Sequence, residues 1–516
     1  MKNLLENPRK LLIVDLLLVV PFLILPLLIT LPYRVNIFLS WEGAYRLYLG
    51  QIPFRDFGLP MGYGYWLLPA VFFKWFGPTM LSLVKAQVLI NLVSFASLRG
   101  ILYNLKVKPV AITLILLVFS LTYILYNFWP WYNHSVVVFE LVALYFVTTY
   151  SADKTRLKNN VNISLAGVFT FLSFFTKQDV GAICFVLCLF LIAYYAITER
   201  KIEPVITYLI SFVVVGAMFI IPVFNYGFSY WFNLGQAPHS SRISSGLLLQ
   251  IFFSHALVEK IYLLLLFVAL LVRFSSWRSF LQDRLAFSGS IITVALILQS
   301  LVTRATSPLP TDHMNYYHTF ALAGIALLLP WERLKVSLPT AFGALVLIVL
   351  IFSEGYWKYI GGFFTKAEIA AAPAETPWVT TTLPTLKRIS MPAGTAEGIE
   401  RLRKLPILQK SNLKVLNMTE LTSLAYELNY TPLPDQPLWY HLHIGMFEKE
   451  VDEFVRKIDS EYYDLVLFES VPSLTEFYPY AVRNKLLEKY TRVDSFAAPR
   501  KIEDSTIEVF IRANLH

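Results

Sequence analysis

Residues 61–77 read MGYGYWLLPAVFFKWFG, and whether this stretch crosses a bilayer decides the sidedness of everything after it. It is apolar but shorter than the roughly 20 helical residues that a hydrocarbon core of about 30 Å requires. Gly62, Gly64 and Pro69 interrupt it, and it is rich in Tyr, Trp and Phe, the side chains that gather at a membrane–water boundary. It therefore reads as a helix lying in the interface.

Around it, eleven runs are long and apolar enough to be read as spans: 11–31, 82–102, 109–128, 134–150, 161–176, 180–198, 204–224, 255–273, 285–303, 315–330 and 338–353. The first follows Lys2, Arg9 and Lys10 but precedes no small-residue cleavage site, so it reads as a retained anchor. With the N-terminus inside, the segments 1–10, 99–108, 151–160, 199–203, 273–284 and 331–335 are cytoplasmic. They hold sixteen of the twenty-five Lys and Arg found up to residue 353, as the positive-inside bias requires. Counting 61–77 as a span would invert every later loop and spoil that asymmetry. An odd number of spans then sends the C-terminal tail outside.

Composition agrees. The 516 residues are 56% hydrophobic, 16% aromatic and only 15% charged, against about 25% charged in an ordinary soluble domain. The net charge of +9 divides unevenly. Residues 1–353 carry 25 Lys+Arg against 13 Asp+Glu, while 354–516 carry 19 against 22. The positive excess follows topology, and with no concentrated basic patch it argues against a nucleic-acid partner. The two cysteines, Cys184 and Cys188, share one face of a helix and read as small apolar residues.

The tail differs in kind. Pro373, Pro377, Pro384 and Pro392 punctuate its beginning. Lys414–Met418, Tyr463–Glu469 and Ile507–Arg512 read as strands, and Glu448–Ile458 and Ala481–Tyr490 have helical spacing. The expected fold is thus mostly α: a polytopic transmembrane bundle over 1–353, a linker over 354–383, and a small α/β extracytoplasmic domain over 384–516 without a catalytic motif of its own.

Charges within a membrane are costly, so the informative polar residues are those gathered on one side. The outer loops collect them. The first, PYRVNIFLSWEGAYRLYLGQIPFRDFGLPMGYGYW, holds Glu42, Arg55 and Asp56; the next holds His134; a tight turn, FFTKQDVGA, holds Lys177, Gln178 and Asp179. A longer loop holds His239 and Arg242, and the last, TRATSPLPTDHMNYYH, holds Arg304, Asp312, His313, Tyr317 and His318. Asp15 and Glu140 lie inside spans and read as polar contacts between helices. His313 and His318 lack a nearby third ligand, so no metal site is indicated.

Here the residues resemble a known group. An acidic residue followed by Gly-x-Tyr, then GQIPFRDF, then a Gly/Pro-rich step into an apolar helix ending WFG, is similar to the first outer loop of the GT-C superfamily, which includes protein O-mannosyltransferases and aminoarabinose transferases. The turn FTKQDVG resembles a sequence common in its bacterial members. The resemblance implies a glycosyltransferase that takes a sugar from a polyprenyl-phosphate carrier and places it on an extracytoplasmic acceptor, with an acidic first-loop residue as base. No cofactor is expected, and a divalent metal is left open though the sequence does not indicate one. The group often has Asp-Glu where this chain has Trp41-Glu42, which leaves Glu42 for that role and Asp56 as its competitor. Arg55, Lys177 and Arg304, and then His318, are the candidate cations for the departing phosphate. A bacterial plasma membrane is the expected location. The rival readings are a transporter or lipid flippase, and a cell-envelope polymer ligase or polymerase. Absence of an internal repeat and of mid-span charge clusters weighs against transport.

Overall fold

The computed structural model describes residues 8–33, 37–151, 153–232, 244–306, 316–329, scattered positions between 337 and 347, and 377–472, 478–499 and 505–513. The proposed eleventh span at 338–353, most of the linker, His239, Arg242, Asp312 and His313 lie mainly or wholly outside the described residues.

Each of the other ten runs is helical over most of its length. Among the described residues, five helices are both long and apolar enough to cross a membrane: Leu11–Leu28, Met80–Asn104, Gln178–Glu199, Glu203–Tyr226 and Arg284–Ala305. Helices Pro109–Thr122 and Tyr317–Leu328 are apolar but shorter. Tyr132–Thr149 and Arg156–Thr176 are also long, and each carries polar residues in its run, Asn133, His134 and Glu140 in the first and Asn159, Asn160 and Asn162 in the second. On Glu203–Ile220, Ile206, Ile210, Val213 and Val214 are exposed, an apolar stripe of the kind that faces lipid.

Helix boundaries follow local chemistry. Thr79 caps Met80–Asn104 by accepting from the Ser82 amide, and Thr155 caps Arg156–Thr176 through Lys158, as N-terminal hydroxyls do. Pro109 and Pro204 sit in first turns, where a missing N–H costs nothing. Residues 61–77 form a short turn at Gly64–Trp66 and a ten-residue helix, Leu67–Phe76. Trp75 and Phe76 are exposed, and Lys85 sits 3.9 Å above the Phe76 ring, the composition expected of an interfacial anchor.

One expected span differs. The run 255–273 is the second arm of a broken pair, Ser245–His255 and Leu257–Arg273, bent by 83°. Side-chain cations take the carbonyls that the break would orphan. Lys260 Nζ donates to the Phe253 carbonyl at 2.8 Å and Arg304 to that of His255 at 3.0 Å.

Asp15 and Glu140, the acids read as contacts between helices, are held by neighbouring helices. Asp15 pairs with Arg99 at 2.8 Å and accepts from Thr113. Glu140 accepts from Gln299 Nε2 at 2.7 Å. Cys184 and Cys188 are free and buried.

The C-terminal domain carries the expected elements. With strands numbered along the chain, β1 is Leu31–Pro32, β2 Phe57–Gly58, β3 Trp378–Thr380, β4 Ile389–Pro392, β5 Val415–Met418, β6 Gln436–Pro437, β7 Leu465–Ser470, β8 Tyr490–Ala497 and β9 Thr506–Arg512. The main sheet runs β5-β7-β9-β8, with β5 and β7 parallel and the others antiparallel. Helices Glu448–Asp459 and Tyr480–Lys489 accompany it.

Two further pairings join this domain to the first loop. Strand β1 pairs with β4, and β2 pairs with β6. The Met80 amide donates to the Thr385 carbonyl at 2.9 Å, and the Tyr33 hydroxyl donates to that of Glu420. One hydrophobic cluster runs through both parts, from Trp41, Tyr45 and Trp66 to Leu386, Leu424 and Leu465. The soluble domain is thus built onto the first loop.

Candidate active site

The first loop opens with the helix Phe38–Tyr48. Glu42 and Arg46 are four residues apart and so share a face. They form a pair at 2.8 Å, with Glu42 6% exposed and Arg46 0%. The rest of the Arg46 guanidinium is filled from two directions: Gln51 Oε1 at 2.9 Å, the Leu433 carbonyl at 2.9 Å and Gln436 Oε1 at 3.3 Å. Gln51 in turn donates to the Pro432 carbonyl at 2.7 Å. Burial pushes the Glu42 carboxyl above its ordinary range, and the Arg46 charge opposes that shift only in part.

Asp56 has a different setting. It accepts from both ends of the Arg55 guanidinium at 2.8 Å and from the Ile52 amide at 2.7 Å. These bonds close a tight turn in which Phe54 has φ of 66°. The Arg55 hydrogen bonds, chiefly, hold the Asp56 carboxyl below its usual range, against a smaller opposing effect of burial, and the Arg46 charge adds to the lowering. Arg46 therefore links the two acids electrostatically.

Next to Asp56 is a cavity of about 390 Å³, walled by Arg55 and Phe57 of the first loop, Tyr226, Tyr230 and Trp231, and the C-terminal domain helix Glu448–Asp459. Gly58 makes this wall possible. A Cβ there would come within 2.1 Å of the Trp231 ring. Arg55 lies 5.8 Å from the Tyr226 ring centroid. The Tyr230 hydroxyl donates to Glu450 at 2.8 Å.

The other candidates fall into separate groups. Lys177 and Asp179 pair at 3.2 Å across the turn between Arg156–Thr176 and Gln178–Glu199, and Gln178 donates to the Phe232 carbonyl at 3.3 Å. That turn touches the first loop, because the Gly62 amide donates to the Phe175 carbonyl at 2.7 Å. His134 is buried, its ring facing Trp131 and Tyr123 at 5.7 and 6.0 Å, with the Tyr123 hydroxyl donating to its carbonyl. Arg304 pairs with Glu259 at 2.6 Å. His318 Nδ1 lies 2.8 Å from the Tyr262 hydroxyl, and Tyr317 stacks on His318 at 4.2 Å.

The polar residues that the outer loops collect are divided among separate surroundings. Arg55 lines the cavity, whereas Asp56, its neighbour in the chain, and Glu42, Lys177, Arg304, Tyr317 and His318 are not among its lining residues. Their partners explain why. Glu42 is turned into its arginine, and Arg304 into Glu259 beside the helix break. Sequence reasoning passed over Arg46, although its spacing from Glu42 was a usable signal. It also missed the aromatic run Tyr226–Trp231 and the C-terminal wall. Contacts spanning nearly 390 positions, such as Arg46 to Leu433, leave no local trace.

No protein-family model matches this chain, and no curated protein matches it. Solved structures do. ArnT from Cupriavidus metallidurans in the apo state has a TM-score of 0.56 at 12% identity, covering 96% of this chain and 97% of that one. The same protein bound to undecaprenyl phosphate has a TM-score of 0.50 at 12% identity with the same coverage. An Archaeoglobus fulgidus oligosaccharyltransferase, in complex with zinc and sulfate, has a TM-score of 0.49 at 10% identity, covering 98% of this chain and 75% of that one. This chain shares the fold of ArnT over almost its whole length.

Proposed function

We propose that this chain is a GT-C type glycosyltransferase that moves a sugar from a polyprenyl-phosphate carrier to an acceptor hydroxyl on the extracytoplasmic face of a bacterial plasma membrane. The observation that carries the reading is the whole-length likeness to ArnT, membrane bundle and C-terminal domain together, including its complex with undecaprenyl phosphate. In this reading the chain has eleven spans, a cytoplasmic N-terminus and an outward C-terminal domain.

Asp56 is the proposed base. It belongs to the first-loop turn whose residues Arg55 and Phe57 line the cavity, and the Arg55 hydrogen bonds keep it ionised at neutral pH. The acceptor oxygen attacks the anomeric carbon and its proton passes to Asp56. The bond from that carbon to the phosphate oxygen breaks, and the phosphate leaves with the electron pair. A phosphate departs without protonation, so one carboxylate suffices. Direct displacement inverts the anomeric carbon. Lys177, at the N-terminal end of Gln178–Glu199, is the proposed phosphate partner, since a cation and a helix N-terminus both favour an anion there. Glu42 then serves as a positioning residue, holding Arg46 within reach of Asp56.

The test is sugar transfer by the purified chain from a set of radiolabelled polyprenyl-phosphate sugars. The reading expects label to leave the lipid and appear in an acceptor. Carrier movement across vesicles without any transfer would replace it with the flippase reading.

A further inference from the structure

The cavity beside Asp56 has a chemical character that narrows its ligand. Its volume of about 390 Å³ falls near the small end of ligand pockets, which run from about 300 to 1,000 Å³. Three cations line it, Arg55, Lys449 and Lys457, and three acids, Asp435, Glu450 and Glu453. These charges are largely matched from within the protein. Arg55 pairs with Asp56 at 2.8 Å and lies in the field of Asp435. Lys457 pairs with Glu453 at 3.3 Å. Glu450 accepts from the Tyr230 hydroxyl at 2.8 and 2.9 Å and from the Phe447 amide at 3.0 Å. Lys449 lies 5.0 Å from the Tyr230 ring centroid, a cation–π distance.

An anionic ligand would meet no surplus of positive charge here, and would have to displace partners already in place. A bare apolar ligand would strand the same polar groups. The wall suits a molecule that is uncharged, carries many hydroxyls able both to donate and to accept, and has a C–H face to lay on a ring. Phe54, Phe57, Tyr226, Tyr230 and Trp231 supply the rings.

We infer that this cavity seats the acceptor, and that the part of the acceptor bound there is an uncharged saccharide, held beside the turn that carries Asp56. The inference rests on the glycosyl-transfer reading and adds the acceptor's class to it. It also gives the C-terminal domain a task, because Asp435, Lys449 and Glu453 come from that domain and the first loop alone cannot close the cavity.

Saturation-transfer NMR on the full-length purified chain, with no donor present, tests it. The probes are a set of uncharged disaccharides, glucose 1-phosphate and a short acidic peptide. At least one disaccharide should bind saturably and in preference to the sugar phosphate and the peptide. Tyr226→Ala, at an exposed position, should weaken that binding about tenfold, as loss of a dominant aromatic contact does, and Glu453→Gln should weaken it less. Failure of every disaccharide to bind, tighter binding of glucose 1-phosphate, or affinity unchanged in both variants overturns the inference. The two levels separate cleanly. Disaccharide binding as described, without sugar transfer from any polyprenyl-phosphate donor, removes the enzymatic reading and keeps the saccharide site. Transfer with an acceptor KM that Tyr226→Ala leaves unchanged keeps the enzyme and removes the site.

Discussion

Glu42 and Asp56 belong to one loop, and each is paired with an arginine, yet their carboxyls are displaced in opposite directions. Glu42 is sunk beneath the C-terminal domain, where loss of water outweighs the attraction of Arg46. Asp56 lies in a turn next to the cavity, where two hydrogen bonds from a solvent-facing Arg55 outweigh the loss of water. Burial decides the contrast, because a salt bridge away from water must first offset the desolvation of both partners. The first pair therefore serves the architecture, and the second is the one that the proposed function assigns to the substrate.

The largest effect expected from this contrast is on stability. Glu42→Gln leaves the buried Arg46 guanidinium with neutral partners only, and breaking a buried pair from one side costs about 3–5 kcal/mol. Chemical denaturation in detergent measures it. The double replacement Glu42→Met with Arg46→Met should cost clearly less than Glu42→Gln. A single-variant cost below about 1 kcal/mol, the range of exposed pairs, would erase the distinction drawn between the two acids. Asp56→Asn should destabilise less than Glu42→Gln in the same assay.

Gly58→Ala comes next. Its Cβ would press on the Trp231 ring, and overpacking of this kind costs about 1–3 kcal/mol. Because Trp231 lines the cavity, the variant should also raise the acceptor KM. An unchanged KM would mean that the β2–Trp231 contact does not shape the site.

The pH profile sharpens the choice between the acids. If Asp56 is the base, the acid limb of kcat/KM lies below the ordinary Asp value of about 3.9, since its carboxyl is held down. A limb above the ordinary Glu value of about 4.3 would point to Glu42, whose carboxyl is pushed up.

The smallest effect belongs to the C-terminal domain. Burial would raise Glu508 and Asp464, but Arg483 and Arg492 hold the first below its ordinary value, and Lys410, the Lys414 amide and Arg512 the second. Their folded-state values lie below their unfolded ones. Their stabilisation is therefore complete above the ordinary carboxylate range and lost as pH falls through the depressed values. Melting temperature followed down that range should drop, and Glu508→Gln should flatten the drop.

Much of the fold was legible because lipid imposes simple rules. Spans need length, and the Gly- and Pro-broken stretch 61–77 folds into a helix of only ten residues, Leu67–Phe76, too short to cross. The strands and helices of the tail were legible from apolar runs and helical spacing, with ends within two residues of Val415–Met418, Leu465–Ser470 and Glu448–Asp459. The 83° break at Ala256 was not, since neither proline nor glycine marks it and the stabilising contacts come from Lys260 and the distant Arg304. At the site, the sequence singled out Arg55, Asp56 and Glu42 but could not rank them. Their difference comes from what covers them: Gln436 and the Leu433 carbonyl over one pair, an open cavity beside the other.

The most direct measurement is a side-by-side transfer assay on folded Asp56→Asn and Glu42→Gln proteins, using the radiolabelled polyprenyl-phosphate sugar that the parent chain accepts. The account predicts that Asp56→Asn lowers kcat by about 10²–10⁴, the usual contribution of a general base, while Glu42→Gln retains transfer in proportion to its folded fraction. An active Asp56→Asn protein, or a fully folded but inactive Glu42→Gln protein, would contradict it.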